Sequence, residues 1–148
     1  HGGWSAYANV ARSRATAREI VSGEFQFDPD ELAFIATHDV QLDHDQQLTA
    51  SAGVSWRMGG TLAYADLLYG SGLRSGFANG DHLPDYHPFN LGAEHAFSSS
   101  EGHGWKVRVD VVNLFDEVYA LRDGSGIGVG APQYGARRAV FGSASFGF

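Results

Sequence analysis

The sequence has no cysteine, a single lysine, a single methionine and no long apolar run. Without cysteine there is neither a disulfide scaffold nor a thiolate metal site, and an oxidising compartment is tolerated. Lys106 stands alone beside nine arginines, and the formal net charge is −7. With no basic stripe to meet a phosphate backbone, nucleic acid is excluded as a partner. No stretch approaches the roughly 18 apolar residues of a transmembrane helix. Membrane-crossing strands are not excluded, because they need only about 9–11 alternating residues and leave a weak hydropathy trace. The chain also lacks an initiating methionine and a signal peptide at His1, and it reads as a mature or truncated piece with further sequence expected ahead of it.

What is present is glycine, 20 residues of it, and aromatics: three Trp, six Tyr and ten Phe. They fall in segments with a period of two, the strand signature. In Lys106–Val111 the charged Lys106, Arg108 and Asp110 alternate with Val107, Val109 and Val111. A soluble sheet hides its apolar face in a core, whereas here formal charges stand directly behind it. The last segment repeats the arrangement, with Val140, Ala144, Phe146 and Phe148 opposite Arg137, Ser143 and Ser145. Leu48–Met58 is the cleanest case: Leu48, Ala50, Ala52, Val54, Trp56 and Met58 form one unbroken apolar row. Gly59-Gly60 then makes a tight hairpin into Thr61–Gly72, with Ala63, Ala65, Leu67 and Tyr69 on one side. Trp4–Thr16 puts Trp4, Ala6, Ala8 and Val10 on one face. Tyr86–Phe97 puts Phe89, Leu91, Ala93 and Phe97 outward, with His95 interrupting the row near its end.

Six strands result, joined by connections of alternating length. Glu19–Gln47, Leu73–Asp85 and Ala120–Gly135 are long and fall at one end. Gly59-Gly60 and Ser98–Gly104 are short and fall at the other. Within the first long segment Phe25, Phe27, Leu32, Phe34 and Ile35 imply packing, and a helical turn is expected after Pro29. The expected fold is therefore all-β: an antiparallel meander of about six strands, apolar outward and polar inward, with Trp56 and Tyr69 at the two margins of a membrane band. Bacterial single-chain barrels begin at about eight strands, so more strands are expected before His1, or several copies close one barrel.

Several segments carry groups with candidate chemistry. His38-Asp39 and Asp43-His44-Asp45 bring imidazole and carboxylate groups close in sequence, as a metal site would, but a loop supplies no fixed ligand geometry, and a solvated acidic surface is the expected reading. Gly124–Gly130 (GSGIGVG) resembles a phosphate-cradling loop, yet Ala131-Pro132 and a strand follow it where a dinucleotide site needs a helix. No nucleophile elbow separates a strand from a helix, and neither an enzyme nor a cofactor is expected. Arg12, Arg14, Arg74 and Arg122 lie near the long-loop end, where they would meet an anionic ligand, lipopolysaccharide phosphates or neighbouring acids.

Val112–Tyr119 (VNLFDEVY), a Gly-rich loop and ARRAVFGSASFGF ending on Phe148 resemble the C-terminal end of TonB-dependent outer-membrane receptors. LTASAGVSWRM, TLAYADLLYGSGLR and LPDYHPFNLGAEHAF precede them in the order such receptors show. The resemblance implies that residues 1–148 are the last strands of a plugged, roughly 22-stranded barrel in the outer membrane of a Gram-negative bacterium. It implies uptake of a scarce nutrient, such as a ferric siderophore, energised by TonB through a plug that lies outside this sequence. Phe146 and Phe148 resemble the signal read by the outer-membrane assembly machinery. Arg57, Asp66, Glu94, Lys106, Arg108 and Asp110 would then line a wet lumen or touch the plug. Arg12, Arg14, His38, Asp43, His44, Asp45, Arg74 and Arg122 would be the loop residues able to meet a small nutrient ligand. Outward residues would contact lipid and lipopolysaccharide. The alternative is a self-assembling or soluble β-sheet binding module with no transport role.

Overall fold

A computed structural model describes residues 2–23, 27–98, 104–128 and 130–147. The chain opens with β1 (Gly3–Arg12), β2 (Thr16–Ala17), helix α1 (Pro29–Ile35) and β3 (Val40–Gln41). There follow β4 (Leu48–Met58), β5 (Thr61–Gly70), β6 (Arg74–Ser75), a 3-10 turn (Phe77–Asn79) and β7 (Asp81–His82). The rest is β8 (Phe89–Ser98), β9 (Gly104–Val112), β10 (Ala120–Asp123), β11 (Pro132–Tyr134) and β12 (Ala139–Gly147).

The six long strands form one antiparallel sheet in the order β1-β4-β5-β8-β9-β12, open at its two edges β1 and β12. Register fixes the faces. Trp4 pairs with Trp56, Ala6 with Val54, Ala8 with Ala52 and Val10 with Ala50, and the same rows continue through Ala63, Ala65 and Leu67. They go on through Ala93, Leu91 and Phe89, Val109 and Val111, and Val140. Two basic side chains lie on the apolar face in these paired rows: Arg12 at the end of β1, opposite Leu48, and His95, which sits opposite Thr61 and bonds its hydroxyl at 2.7 Å. The tight turn after β4 is made by Gly59, whose φ of 56° is a left-handed value that glycine adopts without strain.

The buried core lies elsewhere. Ile35, Val40 and Ala78, packed by Ile20, Leu32, Phe34 and Ile127, form a hydrophobic cluster in the layer of long connections. Pro29 opens α1 with Asp30 and Glu31 in its first turn, the arrangement a helix N-terminus favours. The rows of the sheet's apolar face, by contrast, remain open: Trp4 is 74% exposed, Val140 67% and Val109 47%.

Several element bounds differ from the sequence reading, each for a local reason. The first strand, expected to reach Thr16, stops at Arg12 because Ala15 N–H turns to the Asp45 carboxylate at 2.9 Å; Thr16–Ala17 then pairs with Val40–Gln41. The strand expected from Tyr86 begins at Phe89, since Pro88 has no N–H for the ladder and Tyr86 makes only an isolated bridge to Gly70. The long connections are not plain loops: besides α1 they carry three small hairpins, β2–β3, β6–β7 and β10–β11. Phe25, Phe148 and the tip of the Ser98–Gly104 turn lie outside the described residues.

Candidate functional site

The polar face of the sheet is built by the same period of two. Arg57, Leu62, Glu94, Arg108 and Ser143 occupy one row across it. Ser55, Tyr64, Gly92 and Asp110 occupy the next. Asp66 and Asn90 lie one row further, and Lys106 faces the same way as Arg108. All six charged residues expected on one side thus share this face. Arg108 donates to both oxygens of Asp110, at 2.7 and 2.9 Å, while the Tyr64 hydroxyl donates to the same carboxylate. The Arg108 guanidinium also stands 5.4 Å over the Tyr64 ring. Lys106 approaches Glu94 at 3.5 Å, and Arg57 has no ion-pair partner among the described residues. Asn90 donates to Asp66 at 2.7 Å, and Ser5 and Ser55 share a hydroxyl bond of 2.7 Å. A hollow of about 340 Å³ opens here, lined in part by Tyr7, Ser55, Tyr64 and Asp66.

Glycines let tyrosine rings lie flat on neighbouring backbone. A Cβ at Gly53 would strike the Tyr7 ring, one at Gly70 would strike Tyr86, one at Gly92 would strike Tyr64 and one at Gly135 would strike Tyr119. Tyr7 and Tyr64 face their glycines directly across the ladder. Tyr86 and Tyr119 also stack on each other with centroids 4.5 Å apart. Burial pushes the Tyr119 phenol up from its ordinary value, helped by nearby Tyr86 and Glu117. The sequence analysis missed this pairing; the available signal was a Tyr and a Gly at facing positions of adjacent strands.

The Asn113-Leu114-Phe115-Asp116 motif closes the loop-end corner between β9 and β12. Asn113 is 1% exposed in a left-handed conformation, φ 49°. Its amide donates to the carbonyls of Glu117 and Ala136, each at 2.8 Å, and its oxygen accepts the Glu117 N–H at 2.9 Å. Its own N–H donates to Asn90 Oδ1 at 2.9 Å, tying the corner to the polar face. Asp116 accepts a two-pronged bond from Arg137 and the Arg138 N–H at 2.9 Å. The Arg137 guanidinium, with that N–H, holds the Asp116 carboxyl well below the usual carboxylate range, and the pairing raises Arg137. Phe115 is 76% exposed and leans on Phe89 at 5.8 Å. Both polar residues were quoted in the motif, yet their roles depend on bonds to chain some twenty residues on, which no local spacing announces.

The loop candidates separate. Arg12 ends β1 in register with Leu48, and Arg14 is exposed in the connection that follows. His38 stacks on Phe34 at 4.1 Å, and Asp39 pairs with Arg18 at 2.9 Å. Asp43 meets Arg122 at 3.1 Å and His44, which in turn contacts Arg122. Asp45, 2% exposed, turns the opposite way and takes Arg74 at 3.2 Å. Neighbouring acids are thus spent on different arginines, and among the described residues no group of three or more metal-ligating side chains converges. The Gly-rich loop is pinned by Asn79, which accepts from Ile127 N–H at 2.9 Å and donates to the Gln41 and Ile127 carbonyls at 2.8 and 3.1 Å. Ser125 bonds to Asp123 and lowers its carboxyl below the ordinary value. Phe146, on β12, rests 5.0 Å from Trp105. Comparison with known protein families, with curated proteins and with solved structures gave no match.

Proposed function

We propose that this chain is a wall segment of an outer-membrane β-barrel receptor of the TonB-dependent kind, admitting a scarce nutrient such as a ferric siderophore with the help of a plug from elsewhere in the protein. One observation carries the reading: a six-stranded meander whose paired apolar rows hold no charged side chain except Arg12 at the loop-end margin and no packed layer, while its other face holds the remaining acids and bases of the strands. Six strands about 4.8 Å apart and some ten residues long present a face of roughly 950 Å², well above the few hundred Å² a soluble surface tolerates. Nine to eleven residues per strand reach about 33 Å, or roughly 23 Å when tilted by about 45°, near the height of a barrel's apolar band. Aromatics gather at both margins, Trp4, Trp56, Phe97, Trp105 and Phe146 below, and Tyr69, Phe89 and Phe115 above. The NLFD corner and the long-loop layer support the resemblance to such receptors.

The test is uptake by iron-starved cells lacking the intact gene. Loss of energy-dependent uptake of a labelled ferric siderophore, restored by the gene, is the expected result. Unchanged uptake of every scarce nutrient tried, with the protein recovered in water without detergent, would contradict it. The unpaired edges of β1 and β12 favour a second reading, a sheet that closes by self-assembly, and a water-soluble oligomer would support that one.

A further inference from the structure

The loop-end margin of the apolar face combines positive charge with a cavity. Arg12 finishes β1 on the apolar side, opposite Leu48, and is exposed. Leu48 in turn lines a cavity of about 250 Å³ together with Gln47, Ser71, Gly72, Arg74 and His82. Ser71 extends the apolar row one step past Tyr69, and its hydroxyl accepts the Leu48 N–H at 3.0 Å. Arg74 and His82 face each other across β6 and β7. Asp45 takes Nε and one terminal nitrogen of Arg74, so the second terminal nitrogen has no hydrogen-bond partner among the described residues. His82 uses Nδ1 on the Leu83 carbonyl at 2.9 Å, which leaves Nε2. No carboxylate lines the cavity. The opposite margin of the face carries aromatic rings and no arginine.

We propose that this cavity binds the phosphate of a membrane lipid whose acyl chains lie along the apolar face. The idea rests on the membrane reading above and adds a site to it. Arg74, His82, Ser71 and Gln47 are donors suited to a phosphate oxygen, with Arg12 as the open charge at the rim; hydrogen bonds from charged donors to phosphate are the strong kind. Each basic residue near an anionic membrane surface strengthens the attraction by roughly fivefold.

Native mass spectrometry of the intact protein released from detergent, with added phosphatidic acid or phosphatidylcholine, tests this. Phosphatidic acid should be retained several-fold better, and Arg12→Gln and His82→Gln should each reduce its retention, Arg12→Gln by roughly fivefold. Both positions are exposed, and the buried Asp45–Arg74 pair keeps both its members in each variant. Equal retention of the two lipids overturns the proposal, as does a preference that survives both substitutions. Full displacement by inorganic phosphate overturns it in favour of a free anion. A protein that needs no detergent at all removes the membrane reading, and this proposal with it.

Discussion

Asn113 and Asp116 are three positions apart and hold the same corner by different physics. Asn113 is buried, and its side chain satisfies three backbone groups of the turn and of the approach to β12. Asn113→Ala leaves all three unpaired, and each buried orphan costs about 1–3 kcal/mol. A loss of about 3 kcal/mol or more is expected, read as a lowered unfolding midpoint of the folded protein in detergent. Asp116 works by charge. Its folded carboxyl sits below the ordinary range because of Arg137 and the Arg138 N–H, so its stabilising effect is present above the ordinary carboxylate value and fades only as pH falls through the depressed one. Protease resistance of the β12 approach should therefore persist to about pH 3, below where free carboxylates protonate. Asp116→Asn should remove that resistance at neutral pH; identical acid profiles for the two proteins would contradict the clamp. The motif itself was legible in the sequence. The division of roles was not, because it depends on Ala136, Arg137 and Arg138, which carry no spacing signal toward Asn113.

The strands were legible because a period of two fixes faces whatever the partner strand turns out to be. Leu48–Met58 was correct to the residue, and its apolar row lies where the alternation put it. The connections were opaque for the converse reason. Asp45 with Arg74 and Asn79 with Ile127 are isolated residue pairs between distant segments, and the hairpins they stabilise are two to four residues a side. Such contacts leave no periodic trace. The cap should accordingly fail separately from the sheet. Asp45→Asn strips the charge partner from a buried guanidinium, a change that costs about 3–5 kcal/mol. Limited proteolysis should then cut within residues 39–47 and 73–85 while the strands stay protected; simultaneous loss of both would show one cooperative unit. Within the sheet, Gly92→Val must displace the Tyr64 ring and with it the bond to Asp110, for a cost of about 1–3 kcal/mol. Gly142→Ala meets nothing within 4 Å and should change stability by less than about 0.5 kcal/mol. Equal effects of the two in thermal unfolding would deny the tyrosine-on-glycine packing.

For the molecule as a whole, a small buried cluster sits above a broad exposed apolar sheet, an inversion of the soluble plan in which the sheet's apolar face is the core. The composition carried this in outline: few ionisable residues fall in the apolar rows, many fall in the long connections, and lysine is nearly absent. The open edges of β1 and β12 follow from the count of six strands, not from composition. The absence of cysteine makes the central claim directly measurable, because each introduced cysteine in this chain is a unique label site. Spin labels placed one at a time at positions 106 to 111 on β9, in the intact protein in bilayers, report access to oxygen dissolved in lipid and to a water-soluble nickel complex. The account predicts a period of two: Val107, Val109 and Val111 reached from lipid, and Lys106, Arg108 and Asp110 reached from water. Uniform access to the nickel complex along the strand, or burial of the valines from both probes, would contradict it.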